Sequence, residues 1–418
     1  MAKEKIITGI DVGSTKISTV IAAISENKHS VIGVSGAVSS KGINKGNIVD
    51  IDDAVEAISH SLERAERMAG VSVSSAFVTL NGSHIETTNS HGVVAITSQG
   101  SEIFRDDVVR VTEAAQAVTL PSTREIIHVI PRDFVVNGQG EIRDPVGMTG
   151  GRLEVETNII HSSSTAMKNL IKCVTQVGVE VDDLVYAGLA SAEAVLTDTE
   201  KELGTILVDI GGGTTSIIAF VDGSPIYSTV IPIGGKHITN DLAIGLRARL
   251  EAAEKIKLRL SDEKTEFMTL GNRDQKAETI NVSEFNLDTD TVPKKLLYNI
   301  VDARLNEIFR LIALDMSKAN LGGKLPAGVV ITGGTAQTAG MERVAKMNLK
   351  MPVRIGKPKG VTGLIDEIEG PAFSATIGAL LYGSSMVKSN SSLSFDSGRG
   401  KIGGILSKIF DRTKSFLP

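Results

Sequence analysis

Two stretches hold the residues best suited to chemistry. "GIDVGSTKISTVIAAI" from Gly9 and "VDIGGGTTSIIAFVDG" from Val208 each run an apolar strand into an aspartate, follow it with glycine and hydroxyl residues, and return as a second β-rich strand. The repeated parts are Asp11 with Gly13, Ser14 and Thr15, and Asp209 with Gly211, Gly212, Gly213, Thr214 and Thr215. Glycine allows backbone N–H groups close to an anion, hydroxyls add donors, and a carboxylate holds a hydrated cation. Two such turns facing each other would clamp a polyphosphate, with magnesium held through water by Asp11 and Asp209. Lys16 adds a point charge within reach of a phosphate. One Asp-x-Gly turn is an ordinary β-turn; the repetition is what carries information.

A third turn, Gly333-Gly334-Thr335 after the strand "GVVIT", offers a flat backbone surface for a purine ring. Glu254 and Lys257 in "AAEKIK" are one helical turn apart on one face, a spacing that can hold a ribose, although such pairs are usually solvated surface. Gly234 and Gly235 in "IPIGGKHITNDLAIGL" complete the residues assigned to a bound nucleotide, ATP with Mg2+.

These turns need two lobes to face each other, and the chain is long enough for them. It has 418 residues, 41% hydrophobic and 22% charged, ample for a sizeable core. A net charge of -5 gives no polycationic field, so nucleic acid is not an expected partner. Cys173 lies among Leu170, Ile171 and Val174 at helical spacing and reads as a core thiol. No run of about 18 apolar residues reads as a membrane span, and the N-terminus does not read as a secretion signal. In "DDAVEAISHSLERAERMAG", Val55, Ile58, Leu62, Ala65 and Ala69 share one helical face, and Gly70 ends the helix. From about Gly82 to His161, strands separated by Gly-rich turns around the helix "RDDVVRVTEAAQAV" read as an inserted α+β module. A long helix is expected from about Pro293 to Lys318, and linker composition begins at Ser384.

Phosphate turn, second phosphate turn and later Gly-Gly-Thr turn, in that order, resemble the actin, hexokinase and heat-shock chaperone superfamily. Within it, "HVIP", "DPVGMTGGRLE", "VYAGLASAEAVLTDTEKELGTILVDIGGGTTSI" and "GVVITGGTAQTAGM" are similar to the bacterial FtsA cell-division family across essentially the whole chain. The resemblance implies an α/β, two-lobed actin-like fold of duplicated ribonuclease H-like halves. Its expected division is a first-lobe core over 1–81, completed by 162–203 and 361–383, with an inserted subdomain over 82–161. The second-lobe core spans 204–236 and 312–360, with an outer subdomain over 237–311; a flexible linker over 384–401 leads to an amphipathic helix over 402–418.

One departure limits the chemistry. Heat-shock chaperones carry a water-orienting glutamate before the second phosphate turn, where this chain has Ala187 in "VYAGLAS", and Glu193 is too far along to replace it. Activity is therefore expected to be at most slow ATP hydrolysis. A small-molecule kinase would need a general base that is not found, and a chaperone a substrate domain for which too few residues remain. The type IV pilus assembly ATP-binding protein is the nearest rival, distinguished by the end of this sequence. On a helical wheel, Ile402, Ile405, Leu406, Ile409, Phe410, Phe416 and Leu417 share about 140° of arc, flanked by Lys401, Lys408, Arg412 and Lys414. That pattern fits an interfacial helix for anionic membrane lipids.

The resemblance further implies self-assembly into filaments, later divisome partners, and work at the division septum on the cytoplasmic face of the inner membrane. It also implies docking of the acidic FtsZ tail on the subdomain holding Lys294, Lys295 and Arg304.

Overall fold

A computed structural model describes residues 5–25, 28–262, 279–285 and 289–393. The duplication seen in the turns extends to two whole sheets. In the first, Lys28–Val34, Lys16–Ser25 and Lys5–Val12 form an antiparallel meander, and Ser75–Leu80 and Glu180–Tyr186 continue in parallel beyond it. The second repeats this order with Ser224–Ile231, Thr215–Val221, Thr205–Ile210, Gly328–Thr332 and Val353–Ile355. The short strand Thr362–Gly363 adds an outer edge to the first sheet.

Near-continuous Val, Ile and Ala runs make both sheets buried on two faces, as parallel strands between helices require. Ile10, Ile17, Val20 and Ile21 are fully buried in one lobe, and Ile206, Val208, Ile217 and Ile331 in the other. The covering helix Ile51–Ala69 starts at an Asp50 cap, which accepts from Asp53 N at 3.0 Å, and stops at left-handed Gly70. It buries Ala54, Ala57, Ile58, Ser61, Leu62 and Ala65; Val55 and Ala69, expected on that face, are only half-buried at its rim. Cys173 is a buried core thiol in the helix Ser164–Gln176.

Two helices lie together near the middle of the molecule, Ala187–Val195 and Ser374–Leu393. A Cβ on Gly378 would lie 1.7 Å from Ala190 O, so only glycine permits that approach. The second of these helices runs past Ser384, where linker was expected. Ser384 is buried against His29 Nε2 at 2.6 Å and Met386 is also buried, so packing continues the helix through polar composition.

The inserted module is an antiparallel sheet in the order Gln139–Ile142, Arg124–Val136, Arg152–Ser163, Glu86–Ala95, covered by the helix Arg105–Gln116. It has its own small core around Val108, Val111, Phe134 and Leu153. Among the described residues, the outer part of the second lobe holds the helices Gly235–Leu246 and Leu250–Asp262, the paired strands Thr279–Asn281 and Thr291–Pro293, and the helix Lys294–Lys318. Among the described residues no helix is long and apolar enough to cross a membrane.

Candidate functional site

The two aspartates end their strands in matching geometry. Asp11 pairs across its hairpin with Ser18 and Asp209 with Ser216. Gly13 N donates to Lys16 O at 3.0 Å, and Gly211 N to Thr214 O at 2.9 Å. The turns face each other across a cleft of about 540 Å³. Of the residues expected to hold a nucleotide, Asp11, Gly13, Ser14, Thr15, Lys16, Asp209, Gly211, Gly212 and Thr214 line it, together with Gly235, Glu254, Lys257 and Gly333 to Thr335.

Three expected residues do not line it. Thr215 is fully buried and donates to Ile233 O at 2.8 Å, because the strand pleat sends it to the opposite side from Thr214. Gly213 packs on Ser14, and Gly234 N donates to His237 Nδ1 at 3.2 Å.

Each carboxylate is held by a hydroxyl. Thr79 Oγ1 donates to Asp11 Oδ1 at 2.7 Å, and Ser191 Oγ to Asp209 Oδ2 at 2.5 Å. Burial pushes the Asp209 carboxyl up to about 6, with the Asp11 charge adding to the rise; the Ser191 hydrogen bond and the Lys16 ammonium oppose it. Burial likewise lowers the Lys16 pKa, against Asp11 and Asp209, which hold it up. The ammonium donates to Ala372 O and to Ser18 Oγ, and stands 4.0 Å from the centre of the Phe373 ring. Two carboxylates around one buried ammonium leave the site short of positive charge, which suits a cation.

The third turn is welded to the second. Thr335 Oγ1 donates to Gly211 O at 2.9 Å. Gly333 has φ +89, and a Cβ there would lie 2.2 Å from Asp209 Oδ1, so a side chain would displace the carboxylate. At Gly334 the nearest atom to such a Cβ is Ala372 Cβ at 3.8 Å, leaving an open floor. On the wall, Lys257 Nζ donates to Glu254 Oε2 at 2.7 Å and to Thr239 Oγ1 at 3.0 Å.

Asn81 and Lys236 also line the cleft and were not anticipated. Asn81 directly follows the strand parallel to that of Asp11; its Nδ2 donates to Thr214 Oγ1 at 3.1 Å, and its Oδ1 accepts from Ser216 Oγ at 3.0 Å. Lys236 opens the helix Gly235–Leu246 and donates to Ser14 O at 2.6 Å. Burial lowers its pKa, against the Glu254 charge. Both residues tie one lobe to the other. The available signals were an Asn-Gly pair after an apolar strand, and a lysine at a Gly-Gly helix start, where backbone donors face an anion.

Comparison with known proteins places this geometry. A model of cell division protein FtsA matches residues 206–378, and a model of the SHS2 domain inserted in FtsA matches residues 82–161. FtsA of Pseudomonas aeruginosa is 38% identical over 384 residues, 91% of this chain and 89% of that protein. FtsA of Borreliella burgdorferi is 39% identical over 380 residues, 90% of each.

The chain belongs to the FtsA cell-division family.

Solved structures agree on the fold. A PilM–PilN type IV pilus biogenesis complex superposes with a TM-score of 0.63 at 15% identity, covering 90% of this chain and 98% of that one. MreB5 of Spiroplasma citri bound to ADP gives 0.51 at 13% identity, covering 94% and 99%. The fold is thus actin-like, and the pilus-assembly alternative shares that fold while sequence identity puts the chain with FtsA.

Against this FtsA frame, Ala187 lines the cleft at the first position of its helix, while Glu193 points away and pairs with Lys201 at 2.9 Å. In the outer subdomain Lys295 is exposed, but Arg304 is not a free cation. Its guanidinium forks onto Asp241 at 2.6 and 2.8 Å and also bonds Glu307. That pairing was hidden because Asp241 is on a different helix. Residues 394–401 of the expected linker lie outside the described residues. So do Ile402, Ile405, Leu406, Ile409, Phe410, Phe416 and Leu417.

Proposed function

We propose that this chain binds magnesium-ATP between its lobes and serves as a filament-forming scaffold that holds FtsZ filaments at the inner face of the cytoplasmic membrane. The observation that carries it is the pair of matched turns, with Asp11 and Asp209 in one cleft. The donor set suits the group: cleft-lining backbone at Ser14, Thr15 and Gly212 for phosphates, two carboxylates for a hydrated metal, and the open floor at Gly334 for a purine. MreB5, of the same fold, has been solved with ADP, which supports this reading. When bound, the nucleotide supplies a polyanion contacted from both lobes. Lys16 and Lys236 offset its charge, Glu254 and Lys257 hold the ribose, and the lobes are drawn together.

Because Ala187 offers only a methyl group where a water-orienting carboxylate would stand, turnover is slow and ATP acts as a structural ligand. Calorimetry tests the site. Asp209→Ala and Gly334→Asp each weaken magnesium-ATP binding by more than about threefold; smaller losses, under ~1 kcal/mol, would overturn the assignment. Steady-state turnover of many per second, as kinases show, would revive an enzymatic reading.

The membrane part rests on the 402–418 pattern, and the FtsZ part on the outer subdomain, where Lys295 stands exposed beside Leu296. Ile409→Asp with Phe410→Asp releases the chain from anionic liposomes while ATP binding persists. Lys295→Glu weakens binding of the FtsZ tail peptide without changing ATP affinity.

A further inference from the structure

Four lysines stand exposed at one end of the first-lobe sheet: Lys5, Lys28, Lys357 and Lys359. Lys5 pairs with Ile24 and Lys28 with Ser25, so both sit at the same sheet end. Thr362 and Gly363 run parallel to Ser30 and Val31, which brings Lys359 and Lys357 back alongside Lys28. With neighbouring strands about 4.8 Å apart, long side chains from these positions share one surface. The cleft is at the opposite end, since Asp11 is six positions along the strand that Lys5 opens.

This lysine group adjoins the root of the C-terminal segment. His29 Nδ1 is 3.2 Å from Gly360 O, and its Nε2 is 2.6 Å from Ser384 Oγ in the helix Ser374–Leu393. A Cβ on Gly360 would lie 3.2 Å from Leu381 Cδ1 of that helix. The Lys357–Lys359 loop therefore packs against the last element before the amphipathic segment, whose end at Leu393 is about 14 Å along the axis from Ser384.

The local charge runs against that of the chain. The net charge is -5, yet the stretch from Arg343 to Gly360 contains no Asp or Glu, and the stretch from Ser384 to Leu393 contains Lys388 and no acid. Glu26 lies between Ser25 and Lys28 in the sequence, and the exposed acids Glu180 and Asp182 of the same sheet end stand on the far edge strand Glu180–Tyr186, so the basic surface is the side that holds Lys28, Lys357 and Lys359.

We propose that these lysines form a second, electrostatic membrane contact that rests on anionic lipid headgroups beside the inserted tail. The proposal builds on the reading of residues 402–418 as a membrane helix. A single short amphipathic helix binds reversibly, and stable attachment takes two signals, of which a basic patch is one. Placement at the tail's root lets one surface use both, and the electrostatic part weakens with salt.

The test is co-sedimentation of the full chain with vesicles of phosphatidylcholine and phosphatidylglycerol in equal parts, and of phosphatidylcholine alone, over a range of salt. Lys357→Glu with Lys359→Glu lowers affinity for the anionic vesicles by about tenfold and flattens the salt dependence. Lys357→Gln with Lys359→Gln gives a smaller loss in the same direction. Lys346→Glu with Lys350→Glu makes the same charge change on the second lobe and leaves binding unaltered. Unchanged affinity and salt slope in the 357/359 reversal would overturn the proposal. So would an equal loss in the 346/350 control, which would report net charge, or an equal loss on phosphatidylcholine alone. Failure of the tail reading is separate: if Ile409→Asp with Phe410→Asp still sediments while the 357/359 reversal does not, the tail is not the anchor and the lysine surface stands.

Discussion

The first and second phosphate turns share a frame and differ in what fills it. In both, an aspartate sits across the hairpin from a serine, and a glycine N–H two residues on closes the turn onto a carbonyl three residues ahead. Where the first turn carries Ser14, Thr15 and Lys16, the second carries Gly212, Gly213 and Thr214. The bare backbone of the second receives the side chains of the first. A Cβ on Gly212 would lie 1.6 Å from Thr15 Oγ1, and one on Gly213 would lie 2.9 Å from Ser14 Cβ. A duplicated frame fixes where groups stand, but two identical fillings could not close on each other. The asymmetry makes the cleft narrow and places its buried ammonium on one side only.

The most damaging way to break that comparison is to make the second turn more like the first. Gly212→Ala drives a methyl group into Thr15 and holds the lobes apart, so magnesium-ATP affinity should fall by at least about a hundredfold, or ~2.7 kcal/mol. Thr15→Gly in the same chain removes the obstacle and should restore part of the loss. Calorimetry on the double-mutant cycle reads this coupling, and additive losses would show that the two turns do not meet.

Next in size is Lys16→Thr, which gives the first turn the residue that stands at the matching place in the second. Affinity for magnesium-ATP should drop by about thirtyfold, near 2 kcal/mol, since an ammonium in a poorly solvated site is worth more than an exposed one. The same change removes a group that holds the Asp209 pKa down, so that pKa should rise further, read by carboxyl-carbon NMR titration. A fall would contradict the placement.

A smaller effect isolates the second turn. The Asp209 carboxyl titrates at about 6, above its ordinary 3.8, because burial disfavours the charged form. The native state then binds a proton more tightly than the unfolded chain does, and its stability falls as pH rises from about 4 through 6. At pH 5 part of that cost is already present, and by pH 7.5 nearly all of it. Asp209→Asn has no such titration. Its stability relative to wild type, both without nucleotide, should therefore increase by about 1 kcal/mol between pH 5 and pH 7.5. Chemical denaturation at the two pH values measures the difference, and a parallel pH dependence in both proteins would exclude Asp209 as the titrating group.

The sequence makes a feature legible to the extent that its signal is local. The three glycine turns and their order were legible because glycine, hydroxyl and aspartate at short spacing state their geometry within one hairpin. The exclusion of Thr215 was also within reach, since alternate residues of a strand face opposite ways and Thr214 already faced the cleft. Other features depend on partners far along the chain. Arg304 looked like a free cation until Asp241 was beside it, and the Ser/Asn-rich stretch after Ser384 looked like linker until His29 and the first-lobe core were seen to hold it as helix. Asn81 and Lys236 acquire meaning only when the lobes are set against each other.

Asn81 supports the sharpest and smallest test of the paired turns. It belongs to the first lobe, yet both ends of its amide engage the second turn: Nδ2 donates to Thr214 Oγ1 and Oδ1 accepts from Ser216 Oγ. The same oxygen accepts from Gly82 N at 2.8 Å, which fixes the amide's orientation. From the second lobe, Lys236 reaches into the first turn, but it contacts a backbone carbonyl, Ser14 O, rather than a side chain. Asn81→Ala removes the side-chain tie and leaves Lys236 in place, and water entering the cleft can satisfy the Thr214 and Ser216 hydroxyls. The net loss should therefore be that of an ordinary hydrogen-bond pair, under ~1 kcal/mol, or about threefold in magnesium-ATP affinity. Asn81→Asp keeps the acceptor for Ser216 and Gly82 but puts a third carboxylate beside Asp11 and Asp209, so its loss should exceed that of alanine at low salt and shrink toward it as salt rises. Equal losses at every salt concentration would mean that Asn81 lies too far from the bound nucleotide's charge to take part in the cleft.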